Sequence, residues 1–531
     1  MSSTLTPSPA PASELTHKQI LVVFSGLMLG MFLAALDQTI VATALPTIVG
    51  ELHGLNHLSW VVTAYLLTST ASTPLYGKIS DIYGRKIVFQ FAIVLFIVGS
   101  VLAGFSHSMN ELIAFRAVQG LGGGGLLTLA LAIVGDVVSP RERGRYQGYF
   151  GAVFGVSSVA GPLLGGFFTE GPGWPWIFFI NVPLGLVALA VTSTVLKLPV
   201  HRTEHKIDYV GAALLVAGVS ALLLVTVWGG TQYAWGSGTI LGLAVAGLVL
   251  IGVFLFWESR VPEPILPLRL FRIRTFSVGV AVSAIVGFGM FGAIIFLPLY
   301  MQVVKGATPT ASGLYLLPLM VGVLGTSITS GRIISKIGRY RPFPIAGTAV
   351  MALGFYLLTH LGLHTSQWVI SAYIFVIGVG LGGVMQVLVL ALQNSVGYRD
   401  LGVATSSASF FRSLGGAFGT SVFGAVLSSR LAHYLPAGQA RGATSVSPRA
   451  IHLLPPQVQG VVLDGFVKAL HSVFWVAVPV AAVAFLLTLL LEDVKLRETS
   501  GLAGQEAAAG VPAGGVAVQA LGAERERQPA G

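Results

Sequence analysis

Long apolar stretches alternate with short polar turns along almost the whole chain. A helix that crosses the hydrocarbon core of a bilayer needs about 20 mostly apolar residues. By that measure fourteen spans are expected. The first eight lie at 20–45, 59–77, 87–106, 110–134, 146–169, 176–197, 209–228 and 239–257. Six more follow at 276–301, 311–333, 343–362, 367–393, 402–428 and 466–491. The expected fold class is an all-α polytopic membrane protein. The segment 430–463, rich in Pro, Gly and Ala, reads as an extracellular loop, and the Ala/Gly-rich stretch 496–531 as a disordered cytoplasmic tail.

Composition agrees with the pattern. Charged residues make up 9% of the chain and hydrophobic residues 54%, with a mean hydropathy of +0.83. Soluble domains are nearer a quarter charged. The polar start "MSSTLTPSPAPASELTHKQ" runs into an apolar stretch too long for a signal-peptide core and without a cleavage pattern, so no secreted precursor is expected. The absence of cysteine excludes disulfides, thiolate metal sites and thiol nucleophiles together.

The net charge of +10 raises the question of nucleic acid, which the positions of the cations answer. With the N-terminus in the cytoplasm, 23 of the 30 Lys and Arg fall on the inner side. Five fall outside, and Arg116 and Arg412 fall within spans. That asymmetry predicts both termini inside, in a cell-membrane protein whose basic turns face anionic lipid. Nucleic acid is not an expected partner.

The chain also repeats itself. "GKISDIYGR" at 77–85 aligns without gaps to "GRIISKIGR" at 331–339, and "GLGGGGLLTLALA" from Gly120 echoes "GLGGVMQVLVLAL" from Gly380. The two offsets agree closely, as expected of paired transporter halves. The expected organisation is a cytoplasmic segment 1–19, a six-helix half 20–197, two extra helices within 209–257 and a second six-helix half 276–491.

Five motifs in order resemble the major facilitator superfamily, specifically its fourteen-span drug:proton antiporter branch. They are "LDQTIVATALP" (36–46), "GKISDIYGRK" (77–86), "LIAFRAVQGLGGGG" (112–125), "GVSSVAGPLLGG" (155–166) and "WPWIFFINVPLG" (174–185). The resemblance covers nearly all of 15–495. It implies alternating access between two halves, with a conformational latch built from Gly77, Asp81, Gly84, Arg85, Lys86, Asp136 and Arg143. It also implies an antiporter motif at Gly161, Pro162, Gly165 and Gly166. Two departures stand out. Pro175 replaces an expected arginine, and Ser335 replaces the signature acid of the second-half loop, which leaves the first-half loop as the charge latch.

The residues carry chemistry of their own. Asp81 can pair with a cation or cap a neighbouring helix, or be a solvated acid in a basic turn. Gly161, Gly165 and Gly166 permit close helix approach, while Pro162 removes a backbone donor. Asp37 lies 17 residues into the first span and Arg116 six into the fourth from the opposite side, or about 25 Å and about 9 Å of rise. Both therefore sit in the outer third of a core about 30 Å thick, where they can meet. Arginine does not titrate here, so Asp37 is the candidate proton carrier and Arg116 its tuner, against the alternative of a static buried pair. Arg412, near mid-membrane, is suited either to an anionic group on a substrate or to backbone carbonyls. Gln38, Tyr65, Gln119, Phe288, Phe291, Gln386 and Phe411 are nominated for a substrate pocket, against the alternative of packing or interfacial anchoring.

No phosphate loop, H-E-x-x-H or catalytic triad occurs, so an enzyme is not expected, and neither cofactor nor metal is called for. The leading expectation is a monomeric, proton-driven exporter of lipophilic small molecules that are neutral, monocationic or zwitterionic. The runner-up is a proton-coupled importer of a small metabolite on the same fold.

Overall fold

The computed structural model describes residues 17–52, 58–138, 140–196, 208–230, 232–262, 264–397, 400–434, 451 and 455–496. The first sixteen residues, the central part of the 430–463 segment and the tail beyond Leu496 lie outside the described residues. Regular structure in the described residues is helical, apart from one isolated bridge between Gly229 and Tyr233. The helices are α1 (His17–Glu51), α2 (Leu58–Tyr83), α3 (Arg85–Gly104), α4 (Met109–Val137), α5 (Pro140–Glu170), α6 (Trp176–Phe179), α7 (Asn181–Val195) and α8 (Tyr209–Trp228). They continue with α9 (Gly238–Glu258), α10 (Arg274–Val303), α11 (Pro309–Leu314), α12 (Leu317–Ile337), α13 (Pro342–Leu358), α14 (Gln367–Ser395), α15 (Leu401–Tyr434) and α16 (Pro456–Thr488).

Twelve helical segments among the described residues are long and apolar enough to cross a membrane. The remaining two expected spans are helical but fall short for different reasons. In α2, threonines, serines, Lys78 and Asp81 dilute the apolar character, while α13 has only 17 residues. Two expected spans are each broken by a proline. Pro183 has no N–H to offer the Phe179 carbonyl, and α6 ends at Phe179; Pro318 likewise has none for Leu314, where α11 ends. The 430–463 segment is not all loop, because α15 runs on to Tyr434 and α16 begins at Pro456.

The repeated motifs make the same packing twice. Gly120 and Gly124 of α4 press against the backbone of α2 at Tyr65 and Ser69, and Gly122 against α3 at Ala92 and Phe96. In the second copy Gly378 and Gly382 of α14 press against Leu319 and Val323 of α12, and Gly380 against Gly347 and Met351 of α13. Close backbone approach through small residues is the main attraction between helices where lipid removes the hydrophobic drive. Gly84 and Gly338, the matched glycines that end α2 and α12, are both left-handed, at φ 90° and 74°.

Helices α2 and α4 meet α15, and α5 meets α12, along the seam between the two copies. The α8–α9 hairpin lies across one side of that seam. Helix α8 packs on both α2 and α15, while α9 rests on α8 and turns Leu241, Leu248, Val249 and Phe256 outward. Leu215, Val219 and Leu223 of α8 join Phe410 of α15 in one apolar cluster, with Leu67 and Leu75 of α2 packed against it. Trp60 of α2 stacks edge-on to Trp228 of α8 at 5.2 Å. At the other end Asp208 caps α8 and accepts from the Trp257 indole at 3.0 Å. The extra pair thus covers the α2–α15 seam, a position the sequence left open.

The tightest crossing is α10 with α15, where Gly415 lies against the Ala284 carbonyl and Gly287 against that of Arg412. Gly415→Ala should destabilise the purified protein by about 1–3 kcal/mol, the usual range for overpacking. Gly252→Ala on α9, where a methyl meets nothing, should be neutral. Thermal unfolding followed by tryptophan fluorescence distinguishes the two; equal midpoints would contradict this packing.

Candidate functional site

Asp37 of α1 and Arg116 of α4 meet inside the first half of the bundle. Arg116 Nη1 lies 2.7 Å from Asp37 Oδ2, with both side chains at most 2% exposed. The same nitrogen donates to Gln119 Oε1 at 2.5 Å, and Nε donates to the Val61 carbonyl at 3.3 Å. The guanidinium lies 4.4 Å from the centre of the Tyr65 ring and 5.8 Å from that of Phe178. A cation over aromatic faces keeps part of its electrostatic stabilisation without water.

The second carboxylate oxygen is held separately. Asp37 Oδ1 accepts from Gln119 Nε2 at 2.9 Å and from Asn181 Nδ2 at 3.3 Å. Both amides also donate to Ser100 Oγ, at 3.0 and 2.9 Å, and that hydroxyl donates to the Phe178 carbonyl at 3.0 Å. Four helices and the α6–α7 break therefore converge on one carboxylate. Phe178 offers its carbonyl, and Asn181 its amide, to Ser100 from the two sides of this junction. Gly99 of α3 lies against the Gln119 backbone, where a side chain would push α3 off α4.

Tyr65 and Gln119, nominated for the pocket, thus belong to the ion-pair network, and Gln38, half-buried, follows Asp37 on α1. Ser100 and Asn181 were not nominated. Asn181 had a readable signal, an amide inside the quoted "FFINVPLG"; Ser100 had none. The other nominees lie elsewhere. Phe288 packs on Phe423 at 4.9 Å, Phe291 covers Gly416, and Phe411 packs on Phe271 of the segment before α10. All three half-buried rings make packing contacts at α15. Gln386 and Arg412 are half-buried.

The motif glycines sit beside the pair. Gly161 of α5 lies against Thr39 and Ile40 of α1, and Thr39 Oγ1 donates to the Ser157 carbonyl of α5 at 3.0 Å. Gly165 is buried and Gly166 half-buried, and both carbonyls accept from Thr169. The side chains of Pro162 and Arg143 lie outside the described residues.

A second charge cluster closes the end of the bundle that carries most of the basic residues. Arg85 pairs with Asp81 at 2.6 Å and with Asp136 at 2.8 Å, and donates to Ser80 Oγ at 2.5 Å. The first turn of α15 abuts it, for Gly402 lies against the Asp81 carboxylate and the Arg85 guanidinium. Gly77, one helical turn before Asp81, lies against Ser406. Gln393 of α14 adds a bond to the Leu131 carbonyl of α4 at 3.4 Å. Lys86 departs from the expected cluster: its Nζ reaches the Ser193 carbonyl at the end of α7, at 2.7 Å. In the second-half loop Ser335 Oγ donates to the Gly331 carbonyl of its own helix at 3.0 Å, and Arg339 lies 3.5 Å from Asp493.

With this geometry in hand, the family follows. Residues 27–420 match the profile of the Major Facilitator Superfamily, and the chain belongs to that family of membrane transporters. It is 43% identical over 481 residues to an uncharacterized MFS-type transporter of Mycobacterium tuberculosis, covering 90% of this chain and 70% of the relative. To the multidrug transporter protein MdtP of Bacillus subtilis it is 39% identical, covering 90% of this chain and 93% of the relative. Among solved structures it superposes on the proton:xylose symporter XylE with a TM-score of 0.61 at 17% identity, covering 93% of this chain and all of that one. That likeness concerns the fold alone.

Breaking one side of a buried ion pair costs about 3–5 kcal/mol, because the other charge is left uncompensated. Arg116→Ala should therefore destabilise by that amount, and Asp37→Ala combined with Arg116→Ala by far less than the sum of the two single changes. A double-mutant cycle on thermal unfolding measures this, and strict additivity would contradict the pairing.

Proposed function

We propose that this transporter exports lipophilic small molecules across the cell membrane in exchange for protons. In this reading fourteen helices span the bilayer, the basic end and both termini face the cytoplasm, and the chain acts as a monomer. The observation that carries it is the fully buried Asp37 carboxylate, held by Arg116, Gln119 and Asn181. Ionisable groups enclosed within membrane helices mark ion pathways and proton relays in transporters, and Asp37 is such a group.

The order of events follows. Opening to the outside admits a proton to Asp37, which weakens its hold on Arg116, and the substrate leaves in that state. The halves then rock, the basic end opens, and Asp37 releases the proton inward as new substrate binds. The Arg85 cluster against α15 holds the basic end shut in the first state and separates in the second. Export rather than import is supported by the relatives, among them an efflux pump of Gibberella moniliformis that is 33% identical over 522 residues.

Expression in a bacterial host stripped of its own efflux pumps, followed by growth on a panel of lipophilic toxic compounds, provides the test. Resistance to some of them should appear and should vanish when a proton uncoupler is added. Resistance that survives uncoupling would sink the proton-driven reading.

A further inference from the structure

Helix α15 is one of the elements through which the two halves touch: it packs on α10, α14 and α16 on one side and on α2 and α4 on the other. Four of its described hydroxyls are satisfied locally. Thr405, Ser406, Ser407 and Thr420 each donate to a carbonyl three or four residues back. Ser409 departs from this pattern. It is 4% exposed, and its Oγ has no hydrogen-bond partner among the described residues. Buried hydroxyls are usually paired, and Ser409 shares its orphaned state with Ser157 of α5 among the described residues.

Three residues further on, Arg412 departs in the same way. Arg85, Arg116, Arg269 and Arg339 all pair with carboxylates. Arg412 is half-buried and has neither an ion pair nor a side-chain hydrogen bond among the described residues. It lies eleven residues into α15, about 16 Å by helical rise, close to the middle of a core about 30 Å thick. An ionisable side chain at that depth ordinarily faces a partner or a transport path.

The helical period puts Thr405, Ser409, Arg412 and Gly416 on one face of α15. At the lower end of that face Thr405 Oγ1 accepts from Gln393 of α14 at 2.7 Å, and Gln393 also reaches α4. The lower end of the face thus reaches the junction between the halves through Gln393, while higher up Gly416 lies against Phe291 of α10. Phe410, Phe411 and Leu414 occupy the other side, against the α8–α9 hairpin. The backbone of Arg412 is pinned at the same time, since Gly287 of α10 lies against its carbonyl.

We propose that Ser409 and Arg412 form a subsite for an oxyanion carried by the transported molecule, such as a carboxylate or an ionised acidic hydroxyl. The guanidinium offers paired N–H donors to two oxygens, and the Ser409 hydroxyl, one helical turn away, offers a third donor. The rest of the molecule is lipophilic, so the cargo class narrows to amphipathic acids and zwitterions. A lipid phosphate has the same chemistry but sits at the membrane surface, whereas Arg412 lies near mid-depth. The subsite rests on the transporter fold and not on proton coupling.

The test uses the purified chain in phosphatidylcholine liposomes without a proton gradient, with dansylglycine and its methyl ester as probes. Energy transfer from tryptophan to the dansyl group reports binding. Wild-type protein should bind the acid at least about tenfold more tightly than the ester, the scale of a charge-assisted hydrogen-bonded pair. Arg412→Gln should erase that preference while ester binding stays within about threefold, Arg412→Lys should keep part of it, and Ser409→Ala should lower it by about three- to tenfold. Equal affinities in the wild type, or a preference that persists in Arg412→Gln, would overturn the subsite. So would loss of ester binding in the glutamine variant, which marks a structural role, and competition by added phosphatidylglycerol, which assigns the site to lipid. Because no gradient is applied, a failed uncoupler experiment leaves this result standing.

Discussion

Everything near the middle of the first half answers to one constraint: a carboxylate and a guanidinium have been taken out of water together. Desolvating two ions costs several kcal/mol each, and their attraction offsets that only when geometry and the remaining hydrogen bonds are close to complete. The surroundings of Asp37 and Arg116 are what that demand produces. Gln119 bonds both partners, Asn181 and Ser100 complete the amide and hydroxyl network, Tyr65 and Phe178 offer ring faces, and a backbone carbonyl takes Nε. Two fold features bear on the same network. The α6–α7 junction presents the Phe178 carbonyl and the Asn181 amide to Ser100, and Gly99 allows α3 close enough for Ser100 to reach.

The second half has the same frame without that charge. Its glycines pack α14 on α12 and α13 as those of α4 pack on α2 and α3, and its matched turn ends in the same left-handed glycine. Ser335 stands where the first half has Asp81, and no acid–arginine cluster forms around it among the described residues. The halves are therefore alike in packing and unlike in electrostatics. The first holds the titratable site and the end cluster, and the second contributes α15, whose first turn covers that cluster. The α8–α9 hairpin lies over the α2–α15 contact, where relative motion of the halves has to be accommodated.

The sequence made the helices legible because apolar length is a strong signal, and length and composition diverge in α2 and α13. α2 carries serines, threonines and charges on its inward faces, and α13 is short, so neither meets a simple span criterion although both are helical. Prolines 183 and 318 broke spans that hydropathy alone reads as continuous. The meeting of Asp37 with Arg116 was readable from depth, since two charges at one level in a bundle are pressed to pair. Ser100 was not readable, because a lone serine in an apolar helix is common. The phenylalanines carried both readings because composition cannot tell a ring that packs one helix on another from a ring that faces a substrate. The positions of Arg143 and Pro162 side chains fall outside the described residues, and so does the centre of the 430–463 segment.

The central claim is that Asp37 carries the coupled proton. The direct measurement compares wild-type protein with Asp37→Asn in liposomes, in two modes for the same substrate. One is accumulation driven by an imposed pH gradient, and the other is exchange of labelled for unlabelled substrate without a gradient. Asparagine keeps the shape and removes the titration, so the variant should exchange substrate but lose gradient-driven accumulation. Accumulation that persists at wild-type level in Asp37→Asn would contradict the account.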